Sequence, residues 1–240
     1  MALRSYLFLL TILVVCADSG RANAQDDSPD LYFQYPHITA DQNFSHAFSI
    51  HTARLPEDMI EEASNWVRAP LFDYEAAYVF ADDFKLSGAI QSNIITWQFS
   101  AGVHWVKSFN RFSLSAGIKT AYFFGNLNHF GFKSKVTGWI NSPQVTLGYR
   151  FPGFALSIKS EADFLSVMDQ FADNIEINSE HSVFNGIAFS FFIEQPLWKD
   201  NIVFIGGRAN YLKYYIPAWA VFPTFDRYFW IPEFVVGIVL

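Results

Sequence analysis

Residues 95–105 read ITWQFSAGVHW. Every odd position is apolar (Ile95, Trp97, Phe99, Ala101, Val103, Trp105), and the even positions are Thr96, Gln98, Ser100, Gly102 and His104. A period of two requires an extended strand with one apolar and one polar face. The same pattern recurs outward in both directions. Phe112, Leu114, Ala116, Ile118 and Tyr122 interleave with Ser113, Ser115, Gly117 and Lys119. Val145, Leu147, Tyr149 and Phe151 interleave with Gln144, Thr146, Gly148 and Arg150, and after Pro152-Gly153 the alternation resumes at Phe154. Pro-Gly between two such runs marks a tight hairpin.

Upstream, Phe84, Leu86 and Ile90 put the apolar phase on even numbers, so the phase flips before Ile95. A slip of one residue turns every side chain to the opposite face. A chain reversal near Ser92-Asn93 is therefore expected, with two strands in 84–106. The complete reading is ten strands at 44–54, 72–81, 84–92, 95–106, 111–124, 137–151, 154–168, 181–195, 202–216 and 228–240. The short links 82–83, 107–110, 152–153 and 196–201 then share one rim, and the longer links 55–71, 125–136, 169–180 and 217–227 share the other. An eight-strand alternative fuses 84–106 and leaves 25–71 as an extension. Residues 57–68 carry Met59, Ile60, Ala63, Trp66 and Val67 at helical spacing, which predicts a short amphipathic helix.

The composition agrees with strands. Of 240 residues, 51% are hydrophobic and 19% aromatic but only 16% charged, with net charge −7. That excludes disorder and a basic nucleic-acid binder. The one long apolar run lies at the N-terminus, so a bundle of apolar helices of about 20 residues is excluded as well. Residues 1–24 read as a Sec signal peptide, with Arg4, an apolar core from Tyr6 to Val15, and Ala22-Asn23-Ala24 as the cleavage site. Cleavage removes Arg4, Arg21 and Asp18 from 16 basic and 23 acidic residues, leaving 14 and 22, net −8, and no cysteine. Residues 25–43 read as a flexible lead-in and 44–240 as the barrel.

Strands of 12–15 residues with Gly- and Ser-rich polar faces point to lipid outside the barrel. The expected interface aromatics are Trp105 and Tyr149 on one rim, and Tyr122, Trp139, Tyr228 and Trp230 toward the other. Tyr228, Trp230, Phe234, Val236, Ile238 and Leu240 form an alternating C-terminal strand. With these features the chain resembles bacterial outer-membrane β-barrel proteins, most of which end in Phe or Trp where this chain has Leu240. The resemblance implies a transmembrane up-and-down barrel in a Gram-negative envelope. It implies insertion by the barrel-assembly machinery after Sec export, and outer-membrane lipids and lipopolysaccharide as partners. A soluble exported β-sandwich or lipocalin-like barrel would alternate too, with its apolar face inward.

In the membrane orientation the lumen receives Lys119, Arg150, Lys159, Glu161, Asp163, Glu194, Arg208 and Glu233, together with Asp73, Glu75 and Lys85. Arg208 and Glu233 are expected to face each other across adjacent strands, as are Lys159 with Thr146 and Glu161 with Gln144. Nearly balanced signs argue for a charge-paired lumen rather than an ion-selective ring. His181 with Asp163, Asp169 and Asp173 resembles the acid-plus-histidine inventory of omptin proteases, without a motif. No cluster has metal-ligand spacing and no Gly-rich phosphate loop occurs, so neither cofactor nor metal is expected. The functional expectation is a structural, surface-interaction or narrow-passage role. An outer-membrane enzyme acting on lipid A or surface proteins is the alternative.

Overall fold

Ten alternating segments become ten antiparallel strands in the computed structural model, which describes residues 32–38, 43–56, 67–129, 132–173, 175–198, 201–221 and 227–240. They are β1 (Phe44–Leu55), β2 (Val67–Ala81), β3 (Phe84–Ser92), β4 (Thr96–Phe109), β5 (Phe112–His129), β6 (Phe132–Phe151), β7 (Phe154–Ala172), β8 (Ile175–Trp198), β9 (Asn201–Leu212) and β10 (Phe229–Val239). Each pairs with its sequence neighbours, and β1 pairs with β10, so the sheet is one closed barrel. Closure leaves no strand edge and satisfies the backbone within the ring.

The two-strand reading of 84–106 holds, with Asn93 to Ile95 making the reversal. The Pro152-Gly153 hairpin sets Phe151 opposite Phe154, and the register carries Lys159 opposite Thr146 and Glu161 opposite Gln144. The expected links at 125–136 and 169–180 are mostly strand. β5 and β6 pair out to His129 and Phe132, and β7 and β8 pair out to Ala172 and Ile175. Local propensity marks where alternation is clear, whereas hairpin pairing carries the ladder through polar segments such as Asn126 to Asn128. At the other extreme β9 stops at Leu212, four residues before the expected end. The 1–24 signal peptide and residues 57–66 of the expected helix lie outside the described residues; Val67 and Arg68, also assigned to that helix, belong to β2.

The apolar stripe faces outward. Phe48, Ile50, Phe99, Val103, Ile118, Val145, Leu147, Phe191 and Phe234 are all exposed, while Ser49, His51, Ser115, Gln144, Glu161 and Glu233 are buried inside. This is the inverse of a soluble sandwich or lipocalin-like barrel.

The interior is layered. At the short-turn end, residues 32–38 lie inside the barrel. Tyr32, Phe33 and Tyr35 join Ala155, Phe192, Ile202, Phe204 and Val239 in one buried cluster. These seven residues were expected in a flexible lead-in. Their aromatic side chains instead find an apolar seat that the outward alternation gave no hint of. At the opposite end the chain after β9 turns inward, and Ile216–Val221 forms a 3-10 segment. Trp219, Tyr214 and Ile216 pack on Phe123, Val136, Leu165 and Met168. Tyr215 and Ala218 pack on Leu55, Leu71, Phe229 and Ile231. The lumen is thus an apolar seal, a polar middle and a second apolar seal.

Phe123 is fully buried in the outer seal, and its truncation leaves a cavity that rigid barrel walls fill poorly. Phe123→Ala is expected to lower stability by about 3–5 kcal/mol, read as a shifted midpoint in urea unfolding.

Candidate functional site

The polar middle is a chamber of about 170 Å³, lined at one end by Phe33, Gln34 and Pro36 and at the other by Tyr214, Tyr215, Ile216 and Pro217. Its walls are the inward positions of the strands, where alternation places the polar half of the sequence.

Glu161 on β7 is the centre of the charge network. Lys119 Nζ on β5 lies 3.0 Å from its Oε1, Lys159 Nζ 3.4 Å from the same oxygen, and Arg208 Nη2 on β9 2.9 Å from Oε2. The Arg208 contact is an ion pair too bent to count as a hydrogen bond. Three cations thus share one carboxylate that is 2% exposed. Asp163, two residues on, accepts from Ser142 Oγ at 2.5 Å. Arg208 and Glu233 do face each other in register, as expected from their strand positions. The guanidinium nevertheless turns across the lumen to Glu161, and Glu233 takes other partners. Its Oε1 accepts from Asn210 Nδ2 at 2.7 Å and from Tyr215 Oη at 3.0 Å, and its Oε2 lies 3.4 Å from His51 Nδ1. Burial, and then this carboxylate, push the Tyr215 phenol well above its usual range, so it stays a donor at neutral pH.

Glu194 stands apart from the network. Its carboxylate accepts the backbone N–H groups of Phe33 at 2.7 Å, Gln34 at 2.9 Å and Tyr35. Three consecutive amides converging on one carboxylate form an anion nest, with the inserted strap of residues 32–38 supplying the nest and the wall the anion. Tyr35 Oη donates to the carbonyl of Arg111 in the β4–β5 turn at 3.2 Å. Gly148 on β6 leaves the space that the Tyr35 ring and Pro36 fill, and no Cβ would fit there. The outer segment is held likewise by polar atoms. Asn185 on β8 accepts from Tyr214 N at 2.8 Å and donates to Tyr214 O at 3.0 Å, while Asn93 Nδ2 donates to Pro217 O at 2.5 Å. Arg150 lies nearer the short-turn rim, opposite Ala155.

Two serine–histidine–acid groups occur among the described residues. On the projecting β7–β8 hairpin, Ser179 Oγ donates to Asp169 at 2.8 Å and lies 3.1 Å from His181 Nε2. With its proton on Asp169, the serine can only accept from His181, so the histidine is no base to it. Asp163 points into the lumen and Asp173 sits in the turn, so the four expected residues do not assemble. Inside, Ser49 Oγ lies 2.9 Å from His51 Nε2, and His51 reaches Glu233. The order is that of a relay, but Ser49 is 2% exposed and does not open on the chamber. Its cross-strand neighbour is another carboxyl group, Asp73, rather than the paired donors that a developing oxyanion needs. Among the described residues no group of three or more His, Cys, Asp or Glu is placed to hold a metal ion.

Of the expected interface aromatics, Trp105, Trp139, Tyr149, Tyr228 and Trp230 are exposed on the outer surface and Tyr122 is half-buried beside Trp139, ring centroids 5.1 Å apart. Trp230 lies tilted against Tyr211, ring centroids 4.9 Å apart. Sequence reasoning missed the strap, the inward outer segment, His51 and the anchoring role of Glu194. The available signals were the aromatic run Tyr32-Phe33-Gln34-Tyr35 in an acidic leader, and the apolar run from Tyr214 to Val221 in a supposed loop.

No protein-family model matches the chain, and no curated protein is significantly similar to it. Among solved structures, the translocator domain of autotransporter NalP from Neisseria meningitidis aligns at 9% identity and TM-score 0.41, covering 98% of this chain and 95% of that one. Neisserial surface protein A aligns at 9% identity and TM-score 0.38, covering 83% and 97%. An outer-membrane channel from Pseudomonas putida F1 aligns at 7% identity and TM-score 0.42, covering 89% and 99%. The resemblance is to bacterial outer-membrane β-barrels as a class, and at these values it bears on neither role nor substrate.

Because three cations depend on Glu161, Glu161→Gln strands all of them, whereas Lys159→Met removes one of three. Glu161→Gln is expected to cost about 3–5 kcal/mol and Lys159→Met clearly less. Paired urea titrations check the ranking, and equal losses would show that the carboxylate is not the hub.

Proposed function

We propose that the chain is an integral β-barrel of the bacterial outer membrane, closed at rest, whose lumen is a narrow passage for small polar solutes. The supporting observation is the layering. The polar chamber is bounded at each end by an inserted chain segment rather than by the wall alone. A barrel serving only as a structural pillar can fill its middle with side chains, and ten strands leave little more room than that requires. Here the chamber remains, and its seals are non-covalent. The strap of residues 32–38 is held by one carboxylate, one tyrosine hydroxyl and an apolar seat, all separable from the closed ring of strands. In this reading residues 1–24 direct export through the Sec translocon, and the barrel-assembly machinery inserts the chain among outer-membrane lipids and lipopolysaccharide.

The exposed apolar belt supports the membrane placement. Soluble proteins rarely expose contiguous apolar patches beyond a few hundred Å², and here exposed apolar side chains run along β1 to β8 and β10. A tilted strand crosses the hydrocarbon layer in about 9–11 residues. The 18 to 24 residues of β5 to β8 then project well beyond it on the side away from the short turns.

Two experiments test the reading. Val145→Arg places a charge on the lipid side near the middle of β6 and is expected to cost about 2–4 kcal/mol in vesicle-reconstituted protein. A loss within about 0.5 kcal/mol, as for a water-exposed site, would sink the membrane placement. Deleting residues 25–38, or replacing Gly148 with Leu to unseat Tyr35, is expected to raise single-channel conductance in planar bilayers over the intact chain. A correctly folded strap-less barrel that does not conduct would refute passage.

A further inference from the structure

The strands β5 to β8 rise above the rest of the rim, and the sheet they form there ends in an edge. β7 and β8 stay paired out to Ala172 and Ile175. β9, the neighbour of β8 on its other side, accompanies it only between Trp198 and Gly186. One further backbone bond follows, from Lys213 N to the Asn185 carbonyl at 2.8 Å, and the chain then turns inward to the outer seal. Tyr228 Oη donates to the Phe184 carbonyl at 3.0 Å and covers that position. Ser182 has a left-handed backbone, φ 55°, which interrupts the strand. Beyond it, residues 175–181 have no strand beside them on the β9 side among the described residues. The opposite edge of the projecting sheet is much shorter, since Asn126 N on β5 still bonds Ile95 O and the strand ends at His129.

A strand edge with unpaired amides and carbonyls is a template for one more strand. This one also carries Ile175 and Ile177, 70% and 55% exposed. A tilted strand crosses the hydrocarbon in about 9–11 residues, and the stretch of β8 from Trp198 to Gly186 already supplies that length. The two isoleucines therefore face water rather than lipid. Charge selects among the possible occupants. The hairpin from Val167 to Asn185 bears Asp169, Asp173, Glu176 and Glu180 and no lysine or arginine. Of these, Glu180 alone meets a cation among the described residues, Lys213 at 3.7 Å. A second copy would bring the same carboxylates to the same edge, and like charges set across strands are destabilising. Charged residues guard an edge against its own copies in this way, and the same charges attract a strand of opposite sign.

We propose that residues 175–181 of β8 are a docking edge for an extended cationic peptide, alternating Lys or Arg with apolar residues, which adds to the projecting sheet as a further strand. Its backbone pairs with the free amides and carbonyls of the edge. Its apolar side chains cover Ile175 and Ile177, and its cations meet Glu176 and the acidic turn at Asp173. The edge belongs to the closed barrel whether or not solute passes through the lumen. The arrival of the peptide from outside the cell rests on the membrane placement proposed above.

The test is fluorescence anisotropy of a labelled probe, an acetylated and amidated octapeptide of four Lys-Val repeats, titrated with the full mature chain refolded in detergent. Saturable one-to-one binding is expected, and the amide I band of a probe labelled with carbonyl carbon-13 moves from its coil to its β-sheet position. A probe N-methylated at every residue keeps its charge but donates no amide, and is expected to bind at least tenfold more weakly. Replacing residues 168–180 by Asn-Gly joins the cross-strand pair Val167 and His181 through a two-residue turn and is expected to abolish binding. Heat-modifiable gel migration verifies that this trimmed barrel is folded, and Glu176→Lys, expected to weaken binding at least tenfold, serves if it is not. Absence of saturable binding overturns the proposal, as does binding that survives the trim. Equal binding of the N-methylated probe also overturns it, since that means charge attraction without strand addition. So does a dimer of the unliganded chain that the trim dissociates, because a second copy then fills the edge. A chain that binds the probe yet tolerates Val145→Arg keeps this edge and loses the membrane placement.

Discussion

The pairing of β1 with β10 is the interaction on which the rest depends. An open ten-strand sheet with these faces would present two edges of unpaired amides and carbonyls, and in a lipid layer nothing could satisfy them. Once His51 lies across from Val235 and Ala53 across from Glu233, the backbone is complete within the ring. The sign of each face is then set by topology. The convex surface carries the aromatic and aliphatic half of the alternation, and the concave surface inherits everything polar. The closing pair also places His51 on β1 within reach of Glu233 on β10, so first and last strands are joined by side chains as well as by the ladder.

Closure creates a second constraint, the filling of the interior. The polar half of these strands is rich in Gly, Ser and Ala, which makes the inner wall thin in places. Such a wall cannot fill a ten-strand lumen by itself, and two segments of the same chain enter instead. Gly125, with no room for a Cβ beside Trp219, and Gly148, beside Tyr35, mark where those segments dock on opposite ends of the wall. Small residues inward and aromatic residues inserted are thus two halves of one packing arrangement. The exposed backbone of the inserted segments is satisfied by wall side chains: Glu194 for the strap, Asn185 and Asn93 for the outer segment.

The legibility of each part follows from this division. The wall was readable because strand periodicity is local: 84–92 against 95–105 showed the reversal, and Pro152-Gly153 showed a register that the structure repeats pair for pair. Which residues face the lumen was likewise readable, since facing follows from parity. Which lumen residues touch was not. Arg208 faces Glu233 in register and yet binds Glu161, because a guanidinium on a long stem chooses among all carboxylates across a narrow bore, and strand neighbours are only two of them. The strap was hidden for a related reason. Tyr32, Phe33 and Tyr35 follow the acidic run Asp26 to Asp30, and composition reads the segment as solvated, whereas its seat is built from residues 155, 192, 202 and 204, far away in the chain.

The energetic cost of a charged interior clarifies why it takes this form. Burying an isolated carboxylate costs several kcal/mol even after relaxation, and an ion pair only offsets that when its remaining lone pairs and protons are also satisfied. Glu194 and Glu233 meet that condition by different routes, through backbone amides and through neutral donors with a histidine, whereas Glu161 relies on three cations, and its Oε2 meets Arg208 as an ion pair without a hydrogen bond. Replacing them with packed aliphatics would stabilise a mere plug at least as well.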